Sequence, residues 1–403
     1  SAGQNRTVNE GQSLTFSAAA TDPGLDDSFS YLWRVTADNG QVVSNGTAAN
    51  FSFVPADSGN YLVRLTVTDD DGGATSHTVF VDALNVAPTV ELGATITVAE
   101  GTPVVLNPTV SDPAGANDTL SYAWTVTDGQ GQVVATGAGA PFQFTPADNG
   151  SYGVSLTVTD DDGASTTDTV TVQATNVAPV VTAGGNLLVN EGSVFNLAGS
   201  FTDPGMDTWL ATVNYGDGVS EQLMLSGQTF TASHVYADSG TYPVTVSLTD
   251  DDGATGIRNF SVTVANVAPS LTLGDDATVN AGQLFLREGL INDPGADTWT
   301  VAVNYGDGTP VETLSGLTVR TFGLSHTYAA RGAYAVSVLV TDDDGATGRA
   351  AFQATVNGAP TLAAIADQSV AEGQALNLVV TATDPQPTQH VVNGTFDAGL
   401  TGW

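Results

Sequence analysis

The sequence predicts an all-β protein, a string of small sandwiches arranged as a rod. Three observations predict it. The 403 residues include 45 glycines and 17 prolines, which interrupt the chain at short intervals. Between the breaks the residues are mainly Val, Leu, Phe, Ala and Thr, a strand-forming mixture with no sustained helical period. Landmarks also recur: Asn-x-Ala-Pro begins at Asn85, Asn176, Asn266 and Asn357, at intervals of 91, 90 and 91 residues.

Charge narrows the function. There are 43 acidic residues against 8 basic ones, all arginine, for a net charge of −35. Such a surface repels phosphate backbones and anionic lipid, so neither nucleic acid nor a membrane surface is expected as a partner. A hydrophobic content of 41% is too high for a disordered acidic tail. Cysteine is absent, so disulfides do not hold the modules together. No apolar run is long enough to span a bilayer, and no signal-peptide pattern is present. The chain opens at Ser1 inside the repeat pattern, as a processed product or a slice of something longer would. Three readings of the acidity remain open: a solvating surface, adaptation to high salt, or a means of holding divalent cations.

A unit of this length, rich in short strands, has the size of an immunoglobulin-like sandwich, about 100 residues. Glu-Gly occurs at Glu10, Glu100, Glu191 and Glu372, with Ala281-Gly282 in the fourth unit. Asp-Pro follows 12 residues later in every unit, at Asp22, Asp112, Asp203, Asp293 and Asp384. Units one and two then carry Trp33 and Trp124, read as core tryptophans of strand C. Units three and four instead carry Gly216-Asp217-Gly218 and Gly306-Asp307-Gly308, read as tight hairpin turns.

Next comes Asp-x-Gly-x-Tyr in "PADSGNY", "PADNGSY" and "YADSGTY", and "YAARGAY" in unit four. The spacing predicts a tyrosine corner made by Tyr61, Tyr152, Tyr242 and Tyr334. Residues 60–68 alternate polar and apolar, as a half-buried strand does. That strand ends in an acidic triple, which begins at Asp69, Asp160, Asp250 and Asp342. The last strand descends to the Asn-x-x-Pro linker. The repeats are thus expected at 1–84, 85–175, 176–265 and 266–356, with a partial fifth at 357–388 and a departure from the pattern at 389–403.

The "NYGDG" and "SHVYADSGTYPVTVSLTDDDGAT" of unit three resemble a PKD domain, the polycystic-kidney-disease-type immunoglobulin-like module of secreted and surface proteins. Unit four, with "NYGDG" and "SHTYAARGAYAVSVLVTDDDGAT", is similar throughout. Units one and two resemble it from the tyrosine corner onward; they lack the Gly-Asp-Gly turn and are nearer to general bacterial immunoglobulin-like or cadherin-like repeats. The resemblance spans residues 1–356. It implies tandem PKD-type β-sandwiches of a bacterial secreted or surface protein. "NGTFDAGLTGW" at the end resembles the opening strand of jelly-roll carbohydrate-binding modules.

In an immunoglobulin topology the start of strand A, the B–C loop and the F–G loop share one end of the sandwich. The A–B loop and the E–F corner share the other. Asn85, Asp112 and the triple Asp160-Asp161-Asp162 therefore fall at the top of unit two, and Glu10 and Asp57 at the bottom of unit one. A short linker brings these ends together, gathering five or six carboxylates. Calcium takes six to eight oxygen ligands in flexible geometry and suits this set. Magnesium demands a stricter octahedron, and zinc wants His or Cys. The contiguous triple is not an EF-hand loop.

The resemblance implies the same ion through the linker Asn, the B–C Asp and the F–G Asp. Those are Asn85, Asp112 and Asp160; Asn176, Asp203 and Asp250; and Asn266, Asp293 and Asp342. Unit one supplies Asp22 and Asp69. The third members of the triples, Asp162, Asp252 and Asp344, are included as candidates. The chain's paired carboxylates in general are expected in exposed loops, with nothing to raise one pKa above another. Unit four has Ala281 and Ala330, beside Arg331, in place of the lower acids, so the junction after it should bind an ion more weakly.

No nucleophile elbow, P-loop, zinc-protease or dinucleotide motif appears, and the chain is not expected to be an enzyme. His234 and His326 are read as strand or loop hydrogen-bonders; His77 and His390 are isolated. The sequence points to an extracellular structural or adhesive stalk, about 160 Å long for four sandwiches of about 40 Å, with calcium stiffening its junctions. Its expected partners are neighbouring repeats, copies of itself in a fibre or layer, and a polysaccharide or cell-surface ligand. The alternatives are a self-assembling filament or surface-layer subunit, a substrate-binding accessory region of a secreted hydrolase, and a salt-adapted spacer without a specific ion.

Overall fold

The structure, a computed structural model, describes residues 1–23, 27–376 and 380–383. The jelly-roll-like ending, His390 and Asp384 lie outside the described residues. The fold is all-β; the one helical element among the described residues is the 3-10 turn Gly115–Asn117. The chain divides into two compact units. One holds Ser1–Val180 with the loops Thr202–Leu210 and Leu248–Gly256; the other holds Val181–Phe201, Ala211–Ser247 and the chain from Ile257 onward.

In the first unit, the opening sandwich has a sheet in the order Arg6–Asn9, Ala74–Leu84, Gly59–Asp69, Phe29–Ala37. Leu14–Ser17 and Asn50–Phe53 form the facing pair. Strand Gly59–Asp69 buries Tyr61, Val63, Leu65 and Val67 and turns the residues between them outward. Leu14, Phe16, Phe51 and Phe53 meet them from the facing pair in one core. Trp33 is fully buried at its centre, and its indole N–H donates to the Ala48 carbonyl (3.0 Å), so no polar atom is stranded. The second sandwich repeats this plan around Trp124, whose indole donates to Gly139 (2.8 Å). In both, an early strand pairs in parallel with the last one: Arg6 with Val81, and Ile96 with Val172.

In the second unit, the fourth repeat has the sheet order Ala277–Asn280, Thr347–Asn357, Gly332–Asp342, Trp299–Asn304, Glu312–Leu317. Ser270–Thr272, Leu284–Asn292 and Thr321–Thr327 face it. Its core holds Tyr305 and Tyr328 in the company of Val301, Val303, Val336, Val338 and Val340. The Gly-Asp-Gly turns are anchored by the histidines of the third and fourth repeats. His234 meets Asp217 at 2.6 Å and stacks on Tyr215, and His326 meets Asp307 at 2.7 Å and stacks on Tyr305.

All four tyrosine corners close. The hydroxyls of Tyr61, Tyr152, Tyr242 and Tyr334 donate to the carbonyls of Asp57, Asp148, Asp238 and Ala330 at 2.8, 2.8, 3.0 and 2.9 Å. These bonds fix the loop that leads into each long strand, and with it the lower acids Asp57, Asp148 and Asp238.

Candidate metal centres at the module junctions

Three junctions share one construction. The glutamate of each Glu-Gly pair accepts the backbone N–H of the valine in the following linker: Glu10 from Val86 (2.7 Å), Glu100 from Val177 (2.8 Å) and Glu191 from Val267 (2.6 Å). The glycine beside it is pressed against the proline of the next repeat's Asp-Pro. A Cβ on Gly11, Gly101 or Gly192 would stand 3.0, 2.6 or 2.6 Å from the Cβ of Pro113, Pro204 or Pro294. The same glycines hold φ of +72°, +68° and +66°, a left-handed backbone that side chains disfavour. Two constraints therefore select glycine here, one local and one from docking.

The aspartate triple divides its labour. The first member caps its own turn: Asp160, Asp250 and Asp342 accept from Ala164, Ala254 and Ala346 at 2.8, 2.7 and 2.6 Å, as Asp69 does from Gly73 at 2.7 Å. The middle member ties down the B–C loop: Asp161, Asp251 and Asp343 accept from Thr119, Thr208 and Thr298 at 2.8, 2.8 and 3.1 Å. The third reaches the junction; Asp162 accepts from Ser58 and Asp344 from Ser239, both at 2.8 Å. The linker amides join them, Asn85 donating to Asp160 (3.2 Å) and Asn266 to Asp342 (3.1 Å).

What remains is a set of buried oxygens with no donor. The other oxygens of Glu10, Glu100 and Glu191, the amide oxygens of Asn85, Asn176 and Asn266, and Oδ2 of Asp112, Asp160 and Asp250 are all of this kind. Three aspartates that sequence reasoning missed complete the set: Asp118, Asp207 and Asp297, at 8, 7 and 5% exposure. The signal was present. Each is the Asp of an Asp-Thr pair that ends the B–C loop, and Asp27-Ser28 is its counterpart in unit one. It was obscured because this Asp comes six residues after Asp112 but four after Asp203 and Asp293.

The expectation of exposed, unperturbed carboxylates is overturned. Glu10, Glu100 and Glu191 are 2, 1 and 1% exposed, because the neighbouring repeat covers them. Desolvation, and then the surrounding carboxylates, push Asp118 and Asp297 up to about 7 and Asp207 to about 6. The three glutamates are raised for the same reasons, with the linker N–H bond opposing. Among the described residues the ion pairs are His234–Asp217 and His326–Asp307, and neither involves a junction carboxylate.

The candidates are not all alike. Asp203 and Asp293 accept the indole N–H of Trp209 (2.8 Å) and Trp299 (2.9 Å) on Oδ2. Their Oδ1 atoms face the N–H of Gly205 and Gly295 at 3.4 and 3.2 Å. Their first role is to hold the B–C loop. Asp112 has no such tryptophan and keeps Oδ2 free. In unit one, Asp22 and Asp69 line a depression of about 460 Å³ with Ser1 and Thr21. Asp252 borders a cleft described below.

The donor sets gather within 4.8 Å of one another as Glu10–Asp112–Asp118 and Asp57–Asp118–Asp162 at the first junction, Glu100–Asp148–Asp207 and Asp207–Asp251–Asp252 at the second, and Glu191–Asp238–Asp297–Asp344 at the third. Buried oxygens without donors are rare because each costs about 1–3 kcal/mol, more when charged. An all-oxygen set of carboxylates fits a hard cation such as calcium and, lacking nitrogen and sulfur, does not fit zinc. After the fourth repeat the backbone bond of the joint survives, Ala281 N–H to Asn357 (2.9 Å), but Ala281 brings no carboxylate. Arg331 lies beside Gly358, where the other linkers have valine.

Comparison with known proteins places this architecture. The PKD domain profile matches residues 85–174, 176–264 and 266–356, and a second, distinct PKD domain profile matches residues 2–82. Chitinase A of Pseudoalteromonas piscicida is 32% identical over 238 residues, 55% of this chain and 28% of that protein. The mouse dyslexia-associated protein KIAA0319 homolog is 36% identical over 137 residues, 31% of this chain and 12% of that protein. The chain thus spans under a third of either relative. Among solved structures, a tetra-tandem repeat from the extending region of a large adhesion protein is 18% identical with a TM-score of 0.37, covering 86% of this chain and 96% of that one. The chain belongs to the PKD-domain family and carries four copies in tandem.

Proposed function

We propose that this chain is an extracellular, non-catalytic spacer whose first three junctions are locked by calcium. The observation that carries the reading is the threefold recurrence of buried, donorless carboxylate and amide oxygens where one repeat meets the next. Without a cation the junction would oppose its own docking, since carboxylate pairs about 4 Å apart repel by about 1 kcal/mol in water and several times that near a protein surface. A divalent ion reverses that sign and couples docking to ion binding. Spacing between attached functions then depends on calcium, as a stalk in a calcium-containing medium requires.

Similarity to part of a chitinase favours a second reading of the whole protein, in which the same spacer serves as accessory region of a secreted hydrolase. Isothermal titration of the full chain with calcium and with magnesium tests the first reading. Saturable calcium heat with much weaker magnesium binding supports it, and no calcium heat at 0.15 M salt contradicts it. Retention of the chain on insoluble chitin would support the accessory reading.

A further inference from the structure

The second junction does not hold its carboxylates in one group. Glu100, Asp148 and Asp207 bring oxygens within 4.8 Å of one another, and so, separately, do Asp207, Asp251 and Asp252. Asp207 is common to both. It is 7% exposed, and neither of its carboxylate oxygens has a hydrogen-bond donor or contact with solvent. Gly205 packs directly on it: a Cβ there would collide with Asp207 Oδ2 and with the Glu100 carboxyl. A carboxylate with two buried, uncommitted oxygens, shared by two sets of acids, has the form of a bridging ligand.

The two sides differ. Glu100 is 1% exposed with Oε2 donorless and Asp148 is half-buried, so that side is the more enclosed. Asp251 and Asp252 are exposed and border a cleft of about 760 Å³, lined also by Asp148, Asn149 and Met206. Asp251 is held in place because Oδ1 accepts the Thr208 N–H at 2.8 Å. The five acids carry five negative charges, so one divalent ion would leave three uncompensated.

We propose that this junction binds two divalent cations bridged by Asp207, an inner one on Glu100, Asp148 and Asp207 and an outer one on Asp207, Asp251 and Asp252. The proposal rests on the calcium reading above and adds a second site to it. The inner ion is held by the buried Glu100 and Asp207 with the half-buried Asp148, and exchanges more slowly than the outer one. The outer ion has three carboxylates and an open cleft, so water completes its six to eight ligands and it binds more weakly. The first junction shares Asp118 between its two sets in the same way, whereas the third has a single set.

The test uses the full chain, with calcium chloride as the probe. Bound ions are counted by native mass spectrometry and affinities are read by titration calorimetry, on the wild type, on the double variant Asp251→Asn/Asp252→Asn and on Asp207→Asn. The proposal expects the double variant to lose one ion, with the loss confined to a class binding at least about tenfold more weakly than the rest, and Asp207→Asn to lose two. An unchanged ion count in the double variant overturns the outer site. Loss of only one ion on Asp207→Asn overturns the bridge. Should Asp207→Asn not fold, the count for the double variant still decides on the outer site. A wild type that binds no calcium overturns the underlying reading, a result distinct from either of these.

Discussion

Glu10 accepts the N–H of Val86 at 2.7 Å with one carboxylate oxygen and keeps the other buried without a donor. The first bond ties one repeat to the linker that leads into the next. The second oxygen makes that tie conditional on something that can satisfy it. Glu100 and Val177, and Glu191 and Val267, repeat the relationship.

Neutralising such a glutamate should have opposite effects in two media. In Glu100→Gln the amide oxygen can still accept the Val177 N–H, but the buried charge is gone. With a chelator present, the variant should match or exceed the wild type in thermal stability, because an unpaired buried charge has been removed. With calcium present it should be less stable, and calcium affinity at that junction should fall by at least about tenfold, roughly 1.4 kcal/mol. Melting curves in both media check this; loss of stability of the same size in both would assign Glu100 a purely structural role.

Stability in the absence of calcium should depend on pH with a definite sign. Burial raises Asp118 and Asp297 from 3.8 to about 7 and Asp207 to about 6. A group whose pKa is raised on folding favours the folded state fully below its unfolded value and loses that contribution as pH rises through the folded one. The chelated protein should therefore lose melting temperature between about pH 4 and pH 7, and saturating calcium should flatten that slope. Melting against pH in both conditions measures it.

A methyl group at the docking glycines should separate local strain from contact. Gly192→Ala meets both a φ of +66° and the Pro294 Cβ at 2.6 Å, whereas Gly282→Ala meets a φ of +79° and no described atom within 4 Å. Each should cost about 1–3 kcal/mol for the backbone conformation. Gly192→Ala should cost more than Gly282→Ala, and it alone should weaken calcium binding at the third junction. Paired melts and titrations decide.

Proteolysis should distinguish the joint after the fourth repeat. That joint has Ala281 and Ala330 where the others have Glu and Asp. Papain, which needs no metal, should cut near residues 357–362 with or without calcium. Cuts at the linkers after Asn85, Asn176 and Asn266 should appear only with chelator. Fragment masses by mass spectrometry give the answer.

Much of this was legible in the sequence. The repeat interval, the Asp-x-Gly-x-Tyr corners and the alternation in strands such as Gly59–Asp69 are local patterns, and local patterns suffice for a fold of short strands and tight turns. The meeting of Asn85 with Asp160 was legible because immunoglobulin topology puts the linker and the F–G loop at one end, whereas Asp112 gathers with Glu10 and Asp118 instead. Two things were not. The burial of Glu10, Glu100 and Glu191 arises when Gly11, Gly101 and Gly192 press on the prolines of the following repeats, a contact between segments about 100 residues apart. The partition of the Asp-Pro aspartates depends on Trp209 and Trp299, whose indoles claim Asp203 and Asp293 but have no counterpart at Asp112. Neither spacing nor composition carries such side-chain pairings.

The most direct test of calcium-locked junctions is thermal unfolding of the full chain at pH 7 and 0.15 M salt, in millimolar calcium and again after chelation. Ligand at 100 times its Kd adds about 2.7 kcal/mol per site, and each kcal/mol shifts the midpoint of a domain this size by several degrees. The junctions predict a rise of that order or more with calcium, not reproduced by added sodium chloride. An unchanged midpoint after chelation, or an equal rise from sodium chloride alone, would contradict them.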